Sequence, residues 1–176
     1  IRSEAEVANV ATISANGDAK IGSLIAMAVD QAGKDGGISI EAGKSMQTTL
    51  DLVEGFRFDS GYISSSFVTD ERLGRMKYRD PYILVAENNI SSVEELLPTL
   101  EQVAREGKPL VIVAENVEGQ ALAALIMNTV RGNMKVAAVK APMYGEERRN
   151  VMRDLALSTG ATFVSRETGL QLRDVK

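Results

Sequence analysis

The string Val-Ala-Glu-Asn occurs twice, at residues 85–88 and 113–116. Each copy sets an acid and an amide, Glu87-Asn88 and Glu115-Asn116, after an apolar run that reads as a strand. Ligands of open α/β sheets gather outside the carboxyl ends of strands. Two adjacent carboxylates there could hold Mg²⁺ or exchange protons with a small substrate. The plainer reading is that Glu and Asn suit the turn or helix start that follows a strand. No Gly-rich loop or third carboxylate accompanies the pair, so the plainer reading carries more weight.

A second candidate is Glu-Ala-Gly-Lys-Ser at 41–45. A phosphate-binding loop needs Gly, four residues, then Gly-Lys-Ser/Thr, placed after a strand and opening a helix. Five residues separate Gly37 from Gly43, and the strand-like "ISIE" lies between them rather than before them. A plain turn fits better. The chain has no Cys and no His, which excludes disulfides, thiolate metal sites, imidazole-based triads and nearly all zinc sites. A net charge of -4 argues against a nucleic-acid surface, and no apolar run is long enough to span a membrane.

The elements that would carry such residues follow from periodicity. The turn Asn16-Gly17 leads to Asp18 as an N-cap, and an amphipathic helix runs from Ile21 to Ala32. Gly33, Gly36 and Gly37 end it, and "GISIE" (37–41) reads as a short strand. "FRFDSGYISSSFV" alternates as extended structure after Gly55. From residue 81 the pattern becomes regular: strands at 81–86, 109–114, 134–140 and 161–165 alternate with helices at about 92–105, 118–132 and 146–160. That rhythm predicts an α/β fold with parallel βαβ units and a sheet covered on both faces. Pro98 suits a helix start, so the regular part of the first of these helices is expected to begin near it.

Two of these helices are too apolar for a single stripe. In "EGQALAALIMNTVRG" seven apolar residues run from Ala121 to Met127. Leu122, Leu125, Ile126 and Thr129 share one side, and Ala123 and Met127 widen the apolar zone. In the preceding helix Val93, Leu96, Leu97, Leu100, Val103 and Ala104 span a broad arc, with Leu97 and Leu100 at one edge. From pattern alone, a wide apolar face means a well-buried helix.

Longer stretches carry a resemblance. "DLVEGFRFDSGYISSSFV", "EELLPTLEQVAREGKPLVIVAENVEGQALAALIMNTVRG" and "KVAAVKAPMYGEERRNVMRDLALSTGA" resemble the group I chaperonins, the GroEL-type family. "VATISANGD" and "IGSLIAMAVDQAGKDGGISIE" fit the same family in the same order, so the likeness covers essentially the whole chain. The chain opens without Met and looks like an excised segment. The resemblance implies part of an intermediate domain over 1–54, a small α+β piece. A C-terminally truncated apical domain would follow over 55–176, with Gly55 as the hinge glycine.

The family's function is implied with it. The apical domain binds exposed apolar segments of non-native polypeptides and the mobile loop of a co-chaperonin. Identical subunits form a homo-oligomeric ring that assists ATP-dependent folding in the cytoplasm or an organelle matrix. ATP and Mg²⁺ are held by parts of the parent that this segment lacks, so it would be no enzyme and hold no cofactor or metal. No nucleic acid or membrane partner is implied. The family's groove residues fall on Tyr62, Ile63, Ser64 and Phe67, on Leu97 and Leu100, and on Leu122, Ile126, Met127 and Asn128. Ser66 stands where the family usually has an aromatic, Ser65 where Pro is common, Gln120 for a usual acid and Ser60 for a usual base. Tyr144 keeps the ring of a usual Gly-Phe pair. The alternative from a different class is a doubly wound small-molecule or Mg²⁺-dependent enzyme domain using Glu87 and Glu115.

Overall fold

A computed structural model describes residues 3–33 and 36–175, and the chain divides into two compact units, Ile1–Gly55 and Phe56–Lys176. In the first unit, Asp18 turns its carboxylate onto the N–H groups of Lys20 (2.9 Å) and Ile21 (3.1 Å), satisfying two orphan donors of the helix it starts. That helix, α2 (Ala19–Ala32), ends at Gly33 with φ 76°. It packs against α1 (Glu4–Ser14), which Ser3 caps. The contact is close at Gly22, where a Cβ would stand 2.9 Å from the Ala8 carbonyl oxygen.

"GISIE" does not form the expected strand: residues 36–43 hold no regular structure, and Ile38 and Ile40 are exposed. A strand needs a partner for its N–H and C=O groups. The described part of this unit offers two helices and no ladder.

The second unit is built on four parallel strands: β1 (Tyr82–Ile90), β2 (Leu110–Val117), β3 (Val136–Lys140) and β4 (Phe163–Val164). Their order is β3-β2-β1-β4. Between them lie α3 (Val93–Glu106), α4 (Gly119–Val130) and α5 (Gly145–Thr159). The steps β1→β2→β3 move one way across the sheet, and β3→β4 moves back. Right-handed crossovers then put α3 and α4 on one face and α5 on the other. Period-two alternation divides the strand residues accordingly. Leu84, Ala86, Ile112 and Ala114 join the core with α3 and α4; Val85, Val113 and Phe163 join Met152, Leu155 and Ala156 of α5. This is the layered α/β architecture that the strand rhythm predicts.

Two local expectations are corrected. α3 begins at Val93, five residues before Pro98, and carries the proline inside. Pro98 is exposed, so the Glu94 carbonyl that loses its helical donor can be hydrated. The segment after Gly55 is extended only in part. Its stretch 61–63 docks on the outer edge of β3, with the Ile63 N–H donating to the Ala138 carbonyl (2.9 Å) and the Lys140 N–H to the Gly61 carbonyl (3.0 Å). A short 3-10 turn, Ser65–Phe67, then breaks it. Docking there shields an edge that would otherwise invite pairing.

Candidate functional site

The apolar helices α3 and α4 meet over one sheet face. The Glu118 N–H donates to the Ile90 carbonyl (2.9 Å) and the Ala121 N–H to the Ser91 carbonyl (3.1 Å). The end of β1, which leads into α3, is thereby stitched to the first turn of α4. At the other end the Thr129 hydroxyl donates to the Val136 carbonyl (2.7 Å) and holds α4 to β3. The 3-10 turn Ser65–Phe67 packs on α4 from the side.

Burial divides the expected groove residues. Leu97 is 43% exposed on α3 and Met127 51% exposed on α4. Leu122 and Ile126 are partly buried, packed against the core with their edges open. Tyr62 is partly exposed, its hydroxyl donating to the Gly74 carbonyl (3.2 Å), and Ile63 leans on the core. Ser64 accepts a hydrogen bond from the Ser66 N–H (3.2 Å) and so caps the turn. Asn128 turns its amide nitrogen back on its own helix, donating to the Ala124 carbonyl (2.8 Å).

Phe67 and Leu100 are corrected. Phe67 is wholly buried and Leu100 is 5% exposed, both within the main core cluster. Phe67 anchors its turn in the core, which frees apolar area from water only once. Leu100 sits on the same side of α3 as Leu96 and Val103, four and three residues away, and that side faces the sheet. Neither side chain can meet a partner unless the core opens.

What stays open is Leu97 on α3 and, on α4, an apolar strip of Met127 with the edges of Leu122 and Ile126. Val130, 71% exposed, extends it. Its signal was in the sequence, three residues after Met127 and therefore on the same helix side.

The carboxylate pair is placed differently from expectation. β1 and β2 run on past Glu87 and Glu115, and the register shifts between Ala86 and Asn89, so that Glu87 and Asn88 lie opposite Glu115 in a β-bulge. Each acid is bound to an arginine of α5: Glu115 to Arg148 (2.7 Å) and Glu87 to Arg149. Glu87 also accepts the Arg166 backbone N–H (3.1 Å). Partial burial pushes the Glu87 carboxyl up, but the Arg166 N–H and the Arg149 guanidinium together outweigh it and hold it below its ordinary value. Asn89 and Asn116 both turn their amides onto Glu118 (2.6 and 3.3 Å). These acids therefore tie α5 and the strand ends together. Among the described residues, no three Asp or Glu side chains gather as a metal site would require. A scan against models of known protein families finds no match to the chain. No described helix is long and apolar enough to cross a membrane.

Proposed function

We propose that residues 56–176 act as the polypeptide-binding apical domain of a group I chaperonin, with residues 1–55 as part of its intermediate domain. The single observation that supports this is the open apolar surface on α3 and α4, where Leu97 and Met127 stay in solvent while their neighbours Leu96 and Leu125 are wholly buried. A non-native client offers no fixed sequence, only apolar side chains, and the hydrophobic effect that would hold it is non-directional. Met adapts its shape to varied partners. A large apolar side chain contributes about 1.5–3 kcal/mol when fully buried, and those of the strip are already part covered. Association and ordering costs reduce the total further, so one domain binds weakly. A ring of identical subunits would multiply the grip by avidity, and weak single contacts would allow release. The co-chaperonin loop would compete for the same strip. The nucleotide-binding part of such a parent would lie outside this chain.

The test is fluorescence anisotropy of a labelled, reduced and alkylated, permanently unfolded protein titrated with the 176-residue chain. Binding should be saturable and should fall at least tenfold, about 1.4 kcal/mol, in the variant Leu97→Glu with Met127→Glu. Unchanged binding by a folded double variant rules the reading out.

A further inference from the structure

Between β1 and β4 the connections part company. β1 leads into α3 over one face, whereas β4 is reached through α5 over the other. The chain that leaves β4 returns to the α3 face, where its turn Leu172–Asp174 packs, and a crevice remains outside the carboxyl ends of the two strands, the end at which open α/β sheets bind ligands. Here the crevice is a cavity of about 440 Å³, floored by the buried residues Ala86 and Val164. Around it stand Asn88 of β1, Arg166 just after β4, Gln171 and Arg173 of the following loop, and Glu95 of the first turn of α3.

The wall is fixed by contacts of its own. The Arg166 N–H is held by Glu87, and Ser165 and Thr168 bond each other in the turn that follows β4. Leu172 is buried in the main core, and the 3-10 turn Leu172–Asp174 packs on α3. By contrast, the side-chain donors of Asn88, Arg166, Gln171 and Arg173 have no hydrogen-bond partner among the described residues. Arg166 and Arg173 line the crevice together with Glu95, and Glu87, paired with Arg149, lies close enough to Arg166 to feel its charge.

We propose that the crevice binds a small molecule bearing an anionic oxyacid group, phosphate or carboxylate. Planar guanidinium forks match the paired oxygens of such a group, and the Asn88 and Gln171 amides would hydrogen-bond the rest of the ligand. The volume lies in the range of small-molecule sites. Glu95 opposes the anion and selects against ligands charged on all sides. The site stands apart from the apolar strip and does not depend on the chaperonin reading.

Inorganic phosphate and succinate, titrated separately into the isotope-labelled chain at low ionic strength, are the probes, followed by amide chemical shifts. At least one should give saturable shifts at Ser165, Arg166 and Gln171, with Kd of about 1 mM. Arg166→Gln and Arg173→Gln should each weaken it about tenfold, and Glu95→Gln should tighten it several-fold. Saturation by phosphate alone assigns a phosphorylated ligand; by succinate alone, a carboxylate. No saturable shift with either anion overturns the proposal. So does unchanged affinity in both folded arginine variants. If an arginine variant fails to fold, the Glu95→Gln gain decides, and its absence is fatal.

Discussion

Leu96 and Leu97 are neighbours in the chain and opposites in the structure: Leu96 is wholly buried beneath α3, and Leu97 points its side chain to solvent. One step along a helix is a turn of about 100°, enough to carry a side chain from core to surface. The same contrast separates Leu125 from Met127 on α4.

That contrast predicts opposite costs for two leucines three residues apart. Leu97→Glu should change stability by no more than about 0.5 kcal/mol, as exposed positions do. Leu100→Ala should cost about 2–4 kcal/mol, because it opens a cavity beneath α3. Urea unfolding of both variants checks this. Equal costs would show that the burial assigned to α3 is wrong.

Glu87 sets a pH dependence. Its folded-state pKa is depressed by Arg149 and the Arg166 N–H, against the upward push of partial burial. Its stabilisation is therefore fully present above the unfolded value, about 4.3, and is lost as pH falls through the lower folded value. Glu87→Gln should unfold at lower temperature than the parent at pH 7, and the gap should close with acid. Thermal melts between pH 7 and pH 2 read the gap directly, and a gap that stays constant would remove Glu87 as its cause.

Thr99 lies in α3 with its hydroxyl buried and without a hydrogen-bond partner in the structure. A buried donor left unpaired costs free energy that a methyl of the same shape does not. Thr99→Val keeps the branched shape and a similar helix propensity. It should raise stability by about 1 kcal/mol in urea unfolding, whereas a loss would reveal a partner for the hydroxyl.

Gly22 is where α2 comes closest to α1. A side chain there meets the Ala8 carbonyl and the Thr12 backbone. Gly22→Leu should push the helices apart and cost about 1–3 kcal/mol despite the better helix propensity of Leu. The loss should appear in amide exchange of residues 4–32 and leave the sheet protected.

Elements governed by local chemistry were legible. Asp18 as a cap and Gly160 as the end of α5 are decided within a few residues. The four strands were readable because both faces of a parallel sheet are covered, which leaves long apolar runs. α1 left little signal, since its apolar residues do not gather on one stripe. "GISIE" was misleading, since alternation describes a strand's side chains and says nothing about whether a partner exists.

The candidate site was half legible. Periodicity marks an arc of apolar residues on α3 without saying which edge the sheet covers, so Leu97 and Leu100 looked alike. Their separation depends on where β1 and the loop after β4 sit, which is long-range packing. The same holds for Glu87 and Glu115, whose meaning changed once α5 brought Arg149 and Arg148 against them. The crevice beside β1 and β4 joins residues 88 and 173 through the strand order β3-β2-β1-β4. Spacing along the chain therefore determined the elements and their apolar faces, because those depend on backbone period and near neighbours. Tertiary structure alone decided which apolar residues stay wet, which charges are paired and where a cavity opens, because each of these depends on contacts between segments far apart in sequence.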